Sequence, residues 1–521
     1  MQRNPSRLKN TEFDLLIIGL GSHGACAARD AALRGLSVAV IDQGDICGAT
    51  SHNSLKTIHG GIRYLQHLNF KRVLESIKEQ KIWLRTAPHL VKPMPFLMPT
   101  YGHGARGPLA MLAGVKLFQL FGLTRNKHLR NDRRLPAGRI MSKQSCRGLA
   151  PDIEETKLTG GALWYDAQVE HADRAILQVA QHADELGAVV CNYVSATELL
   201  LENSKVIGVT AEDKITSERF TIKAKTVINA AGPWASKLLA PHDRLETNVS
   251  LIKSMNLVTN RPAPEVAIAV QSRLASDSVL GNTKRLYFIV PWLGKAVIGT
   301  THFNFGDDAD RLSVEHTEIA AFVNEINTAY PTLNLSKDDI LYCYQGLSPE
   351  GEHQSTSSDN NAIQLHESKI IDHQSNHGIE GIISIFSVKW TTARLVAEQA
   401  IDLVCRKLKR STPGRTEVEP LVDTQALPFK LEGLPEEQIH TFCETHIRNS
   451  MAMSLSDILL RRTNDLALGE LSFNTTKVVA QHMSASFSWD SEKQQVQLND
   501  LLSHWLPLEL RSNLEQQPLW K

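Results

Sequence analysis

Residues 13–42 open with Phe13-Asp14-Leu15-Leu16-Ile17-Ile18-Gly19-Leu20-Gly21-Ser22-His23-Gly24. They continue through ACAARDAALRG and end on Leu36-Ser37-Val38-Ala39-Val40-Ile41-Asp42. The first six residues are a nearly continuous apolar run, as expected of a buried parallel strand. A glycine turn comes at once, then a helix stopped by Gly35, then a second strand ending on an acid. This is a complete βαβ fingerprint. Gly19 permits the tight turn, Gly21 lets backbone approach a pyrophosphate, and Gly24 lets the helix pack on the strand. The helix N-terminus, with unpaired N–H groups and its dipole, favours that anion near Ser22. Asp42, about 20 residues beyond the glycines, stands where a ribose hydroxyl is bound and repels the 2′-phosphate of NADP. The motif alone does not separate FAD from NAD.

Composition sets the outer bounds. A chain of 521 residues exceeds what one hydrophobic core supports, which predicts two or three domains. Lys+Arg and Asp+Glu each total 56, so the net charge is zero and no global footprint for nucleic acid is expected. The seven cysteines are scattered, with no C-x-x-C pair, and read as reduced thiols of a cytosolic protein. Residues 1–12 are polar without an apolar h-region, so no export is expected. The most membrane-like stretch, Gly107 to Leu123, contains Lys116 and is too short to span a bilayer. A core helix is the expectation there, with a surface-anchoring helix as the alternative.

The residues beyond Asp42 separate the cofactors. Gln43-Gly44-Asp45 leads to Gly48-Ala49-Thr50-Ser51-His52-Asn53-Ser54-Leu55-Lys56-Thr57-Ile58-His59-Gly60-Gly61-Ile62-Arg63-Tyr64-Leu65. Its small residues suit a chain running along an extended cofactor. The stretch resembles the FAD-dependent glycerol-3-phosphate dehydrogenases, which carry A-T-S, a lysine and then I-H-G-G-L-R-Y-L. The resemblance continues in Thr226 to Trp234 (TVINAAGPW), in Phe288 to Trp292 with Ile298 to Thr301, and in Ser384 to Arg394 (SIFSVKWTTAR). It ends in Leu455 to Thr463, and so spans about residues 12 to 465.

The resemblance implies an α/β fold: a Rossmann-like FAD-binding domain, a β-sheet-containing substrate domain and a C-terminal helical domain. The FAD-binding domain would be discontinuous over 12–90, 165–245 and 375–408. Residues 91–164 and 246–374 would form the substrate domain, and 409–521 the helical one. Within the first, Ala172 to Leu186 reads as an amphipathic helix and Ala188 to Val194 as a strand. Residues 352–378 are polar and read as a surface loop. The cofactor-binding residues implied are Gly19, Gly21, Ser22, Gly24, Asp42, Gln43, Thr50, Ser51, Asn53, Lys56, His59, Gly60, Val194, Ala230, Gly232, Lys389, Thr391 and Thr392. Near the flavin, Lys389 and a helix N-terminus would stabilise the negative charge that arrives with a hydride. His52, in the flavin-facing loop, reads as packing against the flavin ring, with a covalent tether as the alternative, and Tyr101 and His103 read as candidate pocket residues.

His59, Arg63, Tyr64, Lys253 and Lys389 are the implied catalytic set, with His59 a general base. The chain also departs from the family. Tyr344-Gln345-Gly346-Leu347-Ser348-Pro349 stands for Y-S-G-V-R-P-L, so serine replaces a substrate-holding arginine. Lys253-Ser254-Met255-Asn256 stands for K-G-S-H, and Ser387-Val388-Lys389 for G-G-K. A guanidinium grips phosphate bidentately and a serine does not. The expected reaction is hydride transfer from a small anionic secondary alcohol to flavin N5, with quinone or oxygen as the electron acceptor. An FAD-dependent amine or amino-acid oxidase of the same fold is the alternative. A cytoplasmic protein with peripheral contact at the inner membrane face is the matching location, and oligomerisation is left open.

Overall fold

Parallel pairing of short apolar strands builds the sheet that contains the βαβ unit. A computed structural model describes residues 1–102, 107–242, 245, 249–262, 264–276, 283–351, 365, 367–422 and 428–520. Strand β1 (Glu12–Ile18) lies between β2 (Val38–Ile41) and β3 (Arg219–Asn229), parallel to both. Strand β3 in turn pairs in parallel with β8 (Ile382–Phe386). Six of the seven residues of β1 and all of β2 and β8 are buried, as strands covered on both faces must be. Helix α1 (Ser22–Leu33) crosses from β1 to β2, and its alanines pack against α4 (Ala172–Glu185) and α5 (Ala393–Lys407).

A second sheet carries β4 (Leu251–Thr259), β5 (Thr283–Trp292), β6 (Lys295–Phe305) and β7 (Ile340–Pro349), with β4 central between β6 and β7. It runs on through Ala267–Ser276, Val91–Tyr101 and Leu158–Val169 to the two residues Thr57–Ile58 of the segment expected to face the flavin. Helices Glu436–Ser450, Phe473–Phe487, Ser491–Ser503 and Leu508–Gln516 bury a core of their own, which takes in Trp292, Tyr342 and Tyr344 from the second sheet.

Three local expectations need correction. Residues 369–377 are not loop: Lys369–Asp372 is a strand antiparallel to β8, and His373–His377 is a helical turn. Residues 352–364 of that stretch lie outside the described residues, as does His103. The helix expected over Ala172 to Leu186 forms, with Ile176, Val179, Ala180 and Ala183 buried, but Leu186 is exposed at its C-cap. The apolar helix α3 (Pro108–Phe121) is not a core helix. Only Val115 and Phe118 are buried, while Leu109 and Leu120, with Leu123 just beyond, face outward.

Candidate active site

The glycine turn is built as a cradle. Gly19 sits at φ +107°, where a side chain is strained, and a Cβ there would strike the carbonyl of Ala230. A Cβ on Gly24 would collide with the carbonyl of Gly19, so strand and helix touch backbone to backbone. Gly21 differs. Its nearest neighbour is the Ser51 hydroxyl, and the space beside it is otherwise open. Ser22 N donates to Ser51 Oγ at 2.9 Å, fastening the flavin-facing segment to the start of α1. Asp42 accepts from Leu20 N at 2.5 Å and from Gly44 N at 2.9 Å. Burial pushes its carboxyl up to about 6 against those two bonds. Val194 is buried, with its N–H on the Asp42 carbonyl at 2.7 Å, and Gln43 beside it is exposed. Ala230 N bonds to Ile18 O at 2.8 Å and leads to Gly232 at φ +57°. An open glycine, a helix N-terminus and an acid at the end of β2 fit a dinucleotide.

The segment beyond is clamped to the second sheet. Thr50 Oγ1 donates to Leu347 O at 2.7 Å and accepts from Leu347 N at 3.2 Å. Asn53 donates to Ser254 O at 2.9 Å and accepts from Asn256 Nδ2 at 2.6 Å. Gly60 N donates to Asp166 Oδ1 at 2.7 Å, and His59 Nδ1 lies 3.5 Å from Asp166 Oδ2. Burial works upward on Asp166, but bonds from His59, Gly60 and Gln80 hold it below the usual carboxylate range. His59 stays partly exposed, its ring 5.5 Å from that of Phe288. An imidazole backed by a buried carboxylate can take a proton and keep its orientation while doing so.

Two cations converge on Tyr64. Lys389 Nζ stands 3.7 Å above the ring, and Arg72 stands 4.1 Å from it. Burial, with the charge of Arg63 beside it, pushes the Lys389 ammonium down to about 7. Thr391 is buried, and Thr392 stands at the N-cap position of α5, before Ala393, without a side-chain capping bond. The next residue, Arg394, grips Glu79 of α2 (Phe70–Thr86) bidentately, donating through Nε and Nη2 at 2.8 and 2.6 Å. That buried pair fixes where the Lys389 loop stands.

Not every expected residue joins this group. Lys253 is buried against Glu318 and donates to Ser313 O at 2.6 Å. It points to the opposite side of β4 from Ser254 and Asn256, because successive side chains of a strand alternate. The expectation that it works beside the flavin is therefore not met. Lys56 is wholly buried, with Nζ 4.2 Å from the ring of Tyr344 and 4.9 Å from that of Trp292, instead of lining the open side. His52 is buried, its Nδ1 2.9 Å from Asp173 and its ring edge-on to Tyr344.

Sequence reading missed Asp166, Glu79 and the Ser254–His302 contact at 2.9 Å. It also missed the joint with the C-terminal part. Arg461 and Arg462 both reach Asp45, at 2.7 and 2.9 Å, and Arg461 also pairs with Asp457. For Asp166 a signal existed: a lone acid inside the apolar run Leu158–Val169 asks for a buried partner.

Fold and site together define a flavin-dependent oxidoreductase. Residues 14–398 match the family model described as FAD dependent oxidoreductase. The chain is 33% identical over 440 residues to a glycerol-3-phosphate dehydrogenase of Synechocystis, covering 82% of this chain and 77% of that one. It is 30% identical over 475 residues to glycerol-3-phosphate dehydrogenase 2 of Mycobacterium tuberculosis, covering 89% and 76%. The solved glycerol-3-phosphate dehydrogenase of Bacillus halodurans, complexed with FAD, superposes with a TM-score of 0.72 at 22% identity, over 99% of this chain and 97% of that one. The L-proline dehydrogenase of P. horikoshii shares the fold more loosely, with a TM-score of 0.54 at 16% identity over 79% of this chain and 97% of that one. The chain belongs to the glycerol-3-phosphate dehydrogenase family of FAD-dependent oxidoreductases, enzymes acting on CH–OH groups.

Proposed function

We propose that the enzyme oxidises a small anionic secondary alcohol, with glycerol 3-phosphate as the reference substrate. Bound FAD supplies the hydride acceptor. The observation that carries this reading is the approach of Lys389 to Tyr64 with Arg63 alongside, near the His59–Asp166 pair. The two cations hold the substrate's anion and stabilise charge at the flavin edge. His59 takes the hydroxyl proton as the carbinol hydrogen leaves, and Asp166 keeps the imidazole oriented. Gly21, Ser22, Asp42 and Val194 hold the dinucleotide end, and Thr391 and Thr392 present the start of α5 to the flavin.

Anaerobic bleaching of the flavin by glycerol 3-phosphate, 2-hydroxy acids, polyols and amino acids tests the reading. Anionic alcohols are expected to reduce it. His59→Asn should slow reduction about 100-fold or more with FAD content unchanged. Reduction by amino acids alone would establish the amino-acid oxidase alternative instead.

The surface supports a reading of the electron acceptor and location. Leu68, Phe70 and Leu74 join Leu109, Leu120 and Leu123 in exposing apolar side chains, and the Phe70 and Phe121 rings meet at 5.4 Å. Exposed Lys71, Lys116 and Lys127 flank them. An apolar patch rimmed by lysines suits an anionic cytoplasmic membrane face and a quinone acceptor reached from it. No helix among the described residues is long and apolar enough to cross a membrane. Co-sedimentation with anionic vesicles, lost in Leu109→Ser/Leu120→Ser, is the expected result.

A further inference from the structure

Residues directly opposed across an antiparallel pair share a face, so register alone sorts the side chains of β4, β6 and β7. It yields three rows: Asn304–Ile252–Ser348, His302–Ser254–Gly346 and Gly299–Asn256–Tyr344. This face meets the flavin-facing segment. Asn256 bonds Asn53, and a Cβ on Gly346 would press on Thr50. It also holds two of the positions where the chain departs from its family, Asn256 and Ser348, and neither residue can carry positive charge.

One side chain in the three rows can. His302 is half-buried, and its Nδ1 lies 2.9 Å from Ser254 Oγ, a contact that sets the plane of the ring. It stands one row along and two strands across from Ser348, so a cation here is displaced over the sheet toward β6. Rows two residues apart are separated by about 7 Å and neighbouring strands by about 5 Å, so the move alters the direction in which a substrate must lie.

We propose that His302, positioned by Ser254, binds the oxyanion end of the substrate and thereby sets substrate choice. The proposal rests on the reading that the substrate is an anionic alcohol. An imidazole offers a single N–H where a guanidinium offers a fork, so it accepts a carboxylate as readily as a phosphate. On this reading the enzyme takes phosphorylated and carboxylated alcohols alike.

The test does not depend on turnover. FAD-loaded protein is titrated calorimetrically with inorganic phosphate and, separately, with acetate. His302→Leu should weaken both about tenfold or more, with FAD content and melting temperature unchanged. Ser254→Ala should weaken them a few-fold, and His302→Arg, which keeps a cation at this place, should retain binding of both ions. Wild-type affinity in His302→Leu overturns the proposal, as does a wild type that binds neither ion. A wild type that no anionic alcohol reduces, yet whose phosphate affinity depends on His302, would sink the substrate reading and leave the role of His302 standing.

Discussion

Lys389 shows how one side chain can be tuned by where it is put. Its ammonium is drawn down to about 7 by burial, with Arg63 adding repulsion, while the face of Tyr64 offers partial compensation. The folded pKa lies below the unfolded one near 10.4, so between those values the unfolded chain binds the extra proton and stability rises with pH. Below about 7 both states hold the proton, and the cost of burying the charge is fully present. Anion binding has the opposite slope, because the charge that attracts the substrate is lost as pH climbs through the same value. We therefore expect kcat/KM to fall on the alkaline side of 7. Lys389→Arg should carry that limb upward by several pH units, since a guanidinium does not deprotonate in this range. A pH profile of flavin reduction checks it, and an unmoved limb would assign the titration to another group. Lys253 teaches the complementary lesson. It is three residues from Asn256, and an odd offset along a strand places the two on opposite faces, which sequence alone could have revealed. Its partner Glu318 is 65 residues away and could not be read.

At the scale of elements, the β1–α1–β2 unit was legible because its determinants are local: an apolar run, three glycines and an acid. Two of these glycines, Gly21 and Gly24, should separate in experiment. Gly24→Ala drives a methyl into the Gly19 carbonyl and should lower the melting temperature of the FAD-free protein. Gly21→Ala meets only the Ser51 hydroxyl, so that protein should fold with near-wild-type stability and retain little FAD. Equal loss of stability in both would contradict the cradle. The strand at 369–372 escaped sequence reading because its neighbours are polar and turn-rich, and only pairing with β8 makes it a strand. The direction of α3 escaped for a related reason. Its composition is apolar except for Lys116 and Gln119, so its period says little about which side the rest of the protein covers.

Across the whole molecule, the C-terminal helices are joined to the nucleotide-binding half by a buried charge cluster. Asp45 accepts from Arg461 and, bidentately, from Arg462, and Tyr193 and Arg461 close on Asp457. Burial works against the Asp45 carboxylate, yet the two guanidinium groups hold it below its usual range. Arg462→Met should cost roughly 3–5 kcal/mol, because it strands part of a buried carboxylate, and it should loosen FAD retention since Asp45 lies three residues beyond Asp42. Thermal unfolding with flavin release as the second signal measures both, and a wild-type profile would reduce the cluster to ornament.

Two aspartates and two arginines sum to zero, but the cut between the two parts of the chain divides this cluster unevenly. Asp45 alone lies on one side; Asp457, Arg461 and Arg462 lie on the other. Severed near residue 425 and produced as two polypeptides, the pieces would each expose an uncompensated charge at the seam, of opposite sign. They should attract each other in dilute buffer and find each other more slowly as ionic strength rises. Once joined, the seam is shut away from solvent, and added salt should hardly pull the pieces apart.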